Sequence, residues 1–223
     1  MVEIIPAIMP KDYEHLDEMM SLFVNVVPIV QLDIMDGKFV PLRTWPYPKD
    51  AHFDAIVAEE EVMARWEDIN FEVDLMIENP ELAVPKWVNA GASRIVVHVE
   101  SMIDFEKIRA SVPVGLIELG LAINTVTPLS SIEPYIERID FVQCMGIARI
   151  GFQGESFDER VLENVRMLRA KYPDLPISID GSVNFDTAKS LVDAGATRLV
   201  SGSAILEADD FTQAIEVMRN MVQ

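Results

Sequence analysis

Cysteine is nearly missing: Cys144 is the single one in 223 residues, so no disulfide can form within the chain. That fits a reducing, cytoplasmic setting. No apolar run reaches the roughly 18 residues of a membrane span. The opening MVEIIPAIMPKDYEHLDEMM lacks a basic segment followed by an apolar block, so no secretory signal is expected. Positive charge is scarce as well. Lys and Arg number 18 against 37 Asp and Glu, a formal net charge of -19, and no basic cluster offsets it. Such a surface repels nucleic acid and anionic membrane, which excludes both as partners. A phosphate ligand would have to be held locally, by backbone N–H groups and helix N-termini. Linkers and low-complexity stretches are absent too, so residues 1–223 read as one domain.

What is present is globular: half the residues are hydrophobic and a quarter charged. Short β-rich runs alternate with longer amphipathic ones. The strand candidates are VEIIPAI, VPIVQLDIM, INFEVDLMI, SRIVVHVE, VPVGLIELGLAI, DFVQCMGI, LPISIDG and ATRLVSGSAI. Helical patterns lie between and after them, at 11–23, 50–66, 80–90, 102–110, 128–137, 157–171, 184–194 and 207–221. Start signals include Asn79-Pro80, Thr127-Pro128, Asn184 and Asp209 or Asp210. AGAS (90–93) and AGAT (194–197) each end a helix on Gly before the next strand. Eight such β-then-α units predict an α/β fold, a single TIM (β/α)8 barrel, ahead of a doubly wound open sheet. The irregular stretch DGKFVPLRTWPYPK (36–49) holds three prolines and reads as a stiff loop over the active-site face.

Side chains of a strand alternate faces with period two. On the second strand Leu32 and Ile34 oppose Gln31, Asp33 and Met35. On the third, Val73, Leu75 and Ile77 oppose Glu72, Asp74 and Met76. On the seventh, Ile177 and Ile179 oppose Ser178 and Asp180. Packing the apolar sets on the helices turns the polar sets into the barrel. Asp33, Asp74 and Asp180 then lie near C-terminal strand ends, where barrel enzymes keep their chemistry, and His98 on the fourth strand is a candidate to join them. Converging carboxylates repel, so one takes up a proton or a cation sits among them.

The stretches DGSV (180–183) and SGSAI (201–205) follow the last two strands, and GFQG (151–154) follows the sixth. Glycine lets backbone N–H groups gather into an anion nest, and loops after strands 7 and 8 often cradle phosphate.

Taken in order, these motifs resemble the ribulose-phosphate 3-epimerase family over nearly the whole chain. LDIMDGKFVP resembles its strand-two signature, DLMIENPE its strand-three segment, GLAINTVTPL its strand-five segment, GFQGESF its phosphate loop, and IDGSV with VSGSAI its last strand ends. The resemblance implies a cytoplasmic isomerase of pentose phosphate metabolism that inverts C3 of a ketose phosphate through an enediolate. Asp33 and Asp180 would be its acid and base, and a divalent metal would polarise the oxygens. It implies pocket methionines at Met35, Met76 and Met145. Phosphate contacts are expected from Gly151, Gln153, Gly154, Gly181, Ser182, Gly202 and Ser203. The family is commonly oligomeric, which implies a homo-oligomer; Trp45, Tyr47 and Trp66 are candidates for interface or core.

The chain departs from that pattern at the metal. The family uses two His and two Asp; here the His positions hold Gln31 and Asp74, beside Asp33 and Asp180. Ala7 replaces a serine, Lys38 replaces a histidine, DGS replaces a double glycine, and the loop GIARIGFQGE is one residue longer. A ligand set of Gln31, Asp33, Asp74 and Asp180 offers only oxygen and suits Mg²⁺ or Mn²⁺ better than Zn²⁺. A metal-free site is the other outcome, with Lys38 or protonation relieving the charge. The rival readings are a non-catalytic sugar-phosphate-binding barrel and an enzyme on another sugar phosphate. An orotidine-phosphate-decarboxylase type would carry Asp-x-Lys-x-x-Asp on strand two, whereas here Lys38 follows the second acid.

Overall fold

The computed structural model describes residues 2–152 and 154–223; Gln153, one of the expected phosphate contacts, lies outside them. Eight strands close a barrel in the order β1 to β8. They are β1 (Glu3–Ile8), β2 (Ile29–Met35), β3 (Asn70–Met76), β4 (Arg94–His98), β5 (Glu118–Ile123), β6 (Phe141–Met145), β7 (Ile177–Asp180) and β8 (Arg198–Ser201). The helices are α1 (Tyr13–Phe23), α2 (Ala51–Val57), α3 (Val84–Asn89), α4 (Phe105–Ser111), α5 (Arg160–Lys171), α6 (Ala188–Ala194), α7 (Ser203–Leu206) and α8 (Phe211–Met221). The expected (β/α)8 barrel is thus the fold found.

Two expected helices are corrected. The pattern at 50–66 gives α2 alone, because Glu59 turns left-handed at φ 61° and Arg65 at φ 53°. Residues 128–137 form only two short 3₁₀ turns, Leu129–Ser131 and Glu133–Arg138, where Pro134 lacks the N–H an α-helix needs. Elsewhere the caps fall as their residue types ask. Asp12, Asp50, Asp104 and Asp210 each accept a backbone N–H three residues on. Gly91 and Gly195 end their helices at φ 88° and 123°.

The chain groups into two compact units, Ala7–Gly120 and the remainder. In the first, β2 and β3 run parallel with Gln31 opposite Glu72, Asp33 opposite Asp74 and Met35 opposite Met76. Parallel register sets these pairs side by side on one face. Behind the strands lies an aromatic cluster: Phe53 and Trp87 are 4.6 Å apart, and Trp45 meets Phe53 at 5.3 Å. Trp45 is therefore core, while Trp66 is 58% exposed. At the N-terminal strand ends Arg94 pairs with Glu72 at 3.2 Å and with Glu118 at 3.3 Å. In the second unit β6, β7 and β8 align Met145 with Asp180 and Asp180 with Val200. Arg198 pairs there with Glu3 at 3.4 Å and lies 4.7 Å from the Phe141 ring centre.

The loop after β2 is pinned to its strand. The Thr44 hydroxyl accepts from Met35 N–H at 2.9 Å and donates to the Asp33 carbonyl at 2.7 Å. Asp36 then gathers three backbone donors: Lys38 N at 2.8 Å, Phe39 N at 3.2 Å and Glu78 N at 3.0 Å. One carboxylate thereby ties the loop after β2 to the loop after β3. Asp36→Ala is expected to cost about 2 kcal/mol, since hydrogen bonds to a charged group are worth about 1.5–3 kcal/mol and Asp36 is half-exposed. Urea unfolding should show a lowered midpoint at unchanged m; an unmoved midpoint would mean that other contacts organise both loops.

Candidate active site

On the first unit's strands the expected polar face is buried: Gln31 0%, Asp33 8% and Asp74 0% exposed. Each acid has a partner. Gln31 Nε2 donates to Asp33 Oδ1 at 2.9 Å. His98 Nε2 donates to Asp74 Oδ1 at 3.0 Å, both side chains being fully buried. The other ring nitrogen, Nδ1, lies 3.8 Å from Glu100 Oε2, and Phe39 packs at 5.4 Å from the imidazole. Burial pulls the His98 imidazole down, but the Asp74 and Glu100 carboxylates outweigh it and push it up to about 10. At neutral pH it is an imidazolium facing a carboxylate. The partnership was only half legible: alternation places His98 inward, but the β3–β4 register is needed to bring it to Asp74.

In the second unit Asp180 ends β7, half-buried. Gly181 follows at φ 96°, and Ser182 is left-handed at φ 55°, a conformation costing a non-glycine residue about 1 kcal/mol. Thr187 Oγ1 donates to its carbonyl at 2.8 Å. Gly202 and Ser203 stand at the start of α7, just past β8, and Ser201 Oγ donates to Val183 O at 2.8 Å, tying the loops after β7 and β8 together. Gly151 and Gly154, at φ 84° and 73°, flank Gln153 in the loop after β6. The expected phosphate residues among those described therefore sit beyond three consecutive strands of one unit. Met35, Met76 and Met145 are all buried, at 0%, 3% and 2% exposure.

Asp33 and Asp74, opposite one another on β2 and β3 and both buried, offer carboxylate oxygens on one face. Oxygen donors of that kind fit a hard divalent cation. Gln31, by contrast, has turned its amide nitrogen toward Asp33. Lys38, considered for charge relief, is two-thirds exposed and pairs with Glu78 at 3.4 Å. Burial pushes the Cys144 thiol up to about 12, so it offers no thiolate.

Comparison with known proteins follows this geometry. Residues 3–206 match the ribulose-phosphate 3 epimerase family. The chain belongs to that family. Relatives include the ribulose-phosphate 3-epimerases of Schizosaccharomyces pombe (29% identical, covering 99% of this chain and 93% of that one) and of Mycobacterium tuberculosis (30%, covering 97% and 91%). Among solved structures, the barrel resembles 3-hexulose-6-phosphate synthase from Salmonella typhimurium (TM-score 0.71, 14% identity, covering 99% and 98%). It also resembles orotidine 5'-phosphate decarboxylase from Pyrococcus horikoshii (0.66, 18%, covering 98% and 98%). At such identities these two share the fold. No helix among the described residues is long and apolar enough to cross a membrane.

One acid escaped the sequence reading. Asp158, before α5, receives Arg160 Nη2 at 2.6 Å and Nε at 2.9 Å, and the Thr125 hydroxyl at 2.7 Å. The Arg160 guanidinium, against the opposing pull of burial and with help from Thr125, holds its carboxyl well below the usual carboxylate range. Because the folded value is depressed, this stabilisation is present above the ordinary value of 3.8 and is lost as pH falls below it. Asp158→Asn should therefore unfold at lower urea than the unmutated protein at pH 7, with the gap closing below pH 3.8. A gap as wide at pH 2 as at pH 7 would show that charge is not what Asp158 contributes.

Proposed function

We propose that the chain is a ketose-phosphate 3-epimerase acting on a pentulose 5-phosphate, with Asp33 and Asp180 as the acid–base pair. The side-by-side burial of Asp33 and Asp74 on β2 and β3, in a chain of this family, carries the reading. Proton removal beside a carbonyl needs a placed base and stabilisation of the oxyanion that forms. Asp33 takes or returns the C3 proton on one face of the substrate and Asp180 on the other. Gln31 donates to Asp33 and fixes which oxygen faces the substrate. His98 donates to Asp74 and holds its orientation beside them. Backbone N–H groups of the loops at 151–154, 181–182 and 202–203 hold the phosphate, which a surface this acidic could not attract by its overall field. Met35, Met76 and Met145 supply the apolar wall.

A cation bound by Asp33, Asp74 and Asp180 would offset negative charge on the substrate's two oxygens. Oxygen-only donors select Mg²⁺ or Mn²⁺ over Zn²⁺. Gln31 donates to Asp33 through Nε2, and its Oε1 is the fourth oxygen of the proposed set. Calorimetry should find Mn²⁺ bound by the unmutated protein, and Asp74→Asn should weaken Mn²⁺ about tenfold or more, as second-shell changes already do by 10–100-fold at metal sites. Mn²⁺ affinity unchanged in Asp74→Asn would reject this ligand set.

The epimerisation itself is tested with ribulose 5-phosphate in heavy water. Deuterium should enter at C3, and Asp33→Asn or Asp180→Asn should slow its entry by at least about 10²-fold, the upper part of the range from general acid–base catalysis being about 10⁴. No deuterium at C3, with and without Mg²⁺ or Mn²⁺, would overturn the reading. If ribulose 5-phosphate still raised the melting temperature, the non-catalytic binding barrel would take its place. The protein donors already on Asp33 and Asp74 are the observation that favours that second reading.

A further inference from the structure

An acid–base residue is effective only where its backbone is held, and the end of β7 is held from one side by a glycine. Gly146, just past β6, lies against the Asp180–Gly181 peptide. Its N–H donates to the Asp180 carbonyl at 2.7 Å. A Cβ placed on Gly146 would collide with the Gly181 carbonyl oxygen, so no other residue allows this approach. Gly181 is equally confined: a Cβ there would stand 2.7 Å from Ile147 Cγ1.

Gly146 is itself fixed from outside. Its carbonyl accepts Asp158 N–H at 2.8 Å, and Ile147 and Phe157 pair as an antiparallel bridge alongside. Asp158 is anchored in turn by the buried Thr125 hydroxyl at 2.7 Å and by Arg160. A continuous series of hydrogen bonds therefore runs from Thr125 past the end of β5, through Asp158 and Gly146 past β6, to Asp180 on β7. Each of its three links joins residues at least twelve apart in sequence, so local structure alone does not impose it.

We infer that Thr125 and Asp158 are positioning residues for Asp180, acting on it through Gly146. The inference rests on the reading of Asp180 as an acid–base residue. The Thr125 hydroxyl gives a short, charge-assisted hydrogen bond, which fixes direction as well as distance. A displacement of about 1 Å in a reacting group costs about 10²-fold in rate, so a small shift at Gly146 becomes visible in turnover.

The test compares Thr125→Val, which removes the hydroxyl at constant shape, with Thr125→Ser, which keeps it, and with Gly146→Ala. Two readouts are taken: the kcat and KM of epimerisation, and the hydrogen-exchange rate of the Gly146 amide. Thr125→Val should lower kcat about tenfold and Gly146→Ala about 10²-fold, with KM within about twofold. The Gly146 amide should exchange at least about tenfold faster in Thr125→Val at matched urea stability, and Thr125→Ser should restore both quantities. The inference is overturned if Thr125→Val leaves kcat and amide protection unchanged, or if Thr125→Ser is as impaired as Thr125→Val. Should the unmutated protein exchange no C3 proton, the reading of Asp180 falls by itself. Amide protection of Gly146 then still decides whether Thr125 governs the strand end.

Discussion

A carboxylate shut away from water keeps its charge only where a cation or a set of donors faces it, and the Asp74–His98 pair is how this chain meets that condition. Breaking such a pair by removing one member leaves an uncompensated buried charge, whereas filling the space with aliphatic side chains would be as stable or more so. Val and Leu would serve β3 and β4 well if the barrel needed only a core. The polar alternative is therefore a mark of a site, in the sense that local rules are broken where function requires it. The same logic runs down the strands. Asp33 has Gln31, Glu72 has Arg94, and Glu3 has Arg198. Pairing at the N-terminal strand ends serves stability, because no loop chemistry lies there. Pairing toward the C-terminal ends arranges acids for use.

How much of this is legible in the chain depends on which interaction decides each feature. Period two alone sorts Asp33, Asp74 and Asp180 onto inward faces, because an alternation rule concerns a residue and its own neighbours. The eight-fold count follows from hydrophobic runs and their caps for the same reason. The partner of Asp74 lies on the next strand, and which residue of IVVHV reaches it is set by register, a quantity no single strand contains. Asp158 is further out of reach. Its role depends on a carbonyl 12 positions earlier and a hydroxyl 33 positions earlier meeting at one place, and nothing in SFDER announces either. The two shortened helices fail for a different reason. Apolar spacing at 50–66 and 128–137 is compatible with a helix, but backbone chemistry overrides it: Pro134 in one case, left-handed residues in the other.

In the proposed metal site, Gln31 and Asp74 in place of nitrogen ligands would do more than change donor atoms. A neutral imidazole ligand adds no charge to a metal site, whereas Asp74 adds a full negative one. His98, already protonated by its two carboxylate neighbours, returns that charge from the adjacent strand. The local sum is thereby kept near what a histidine would have given, while the surface presented to a ligand becomes oxygen. Gln31 completes the exchange by donating a hydrogen bond to Asp33 where an imidazole would have donated its lone pair to a metal.

In the proposed epimerase the excess of acidic residues would constrain the phosphate end of the site as well. With 37 acidic side chains against 18 basic ones, long-range attraction cannot gather a phosphorylated sugar. Screening at physiological salt confines such fields to about 8 Å, so the binding energy must come from groups in direct contact. Backbone N–H groups satisfy that requirement without adding side-chain charge. On that proposal they account for the Gly151, Gly154, Gly181 and left-handed Ser182 of the loops after β6, β7 and β8. A left-handed residue turns consecutive N–H groups toward one point, which makes a concave anion seat. Ser182 adopts that geometry at an energetic cost that glycine would avoid, and its carbonyl is held there by Thr187. The strain is tolerable because the loop is over-determined, and an over-determined loop is what a dianion needs when the rest of the surface repels it.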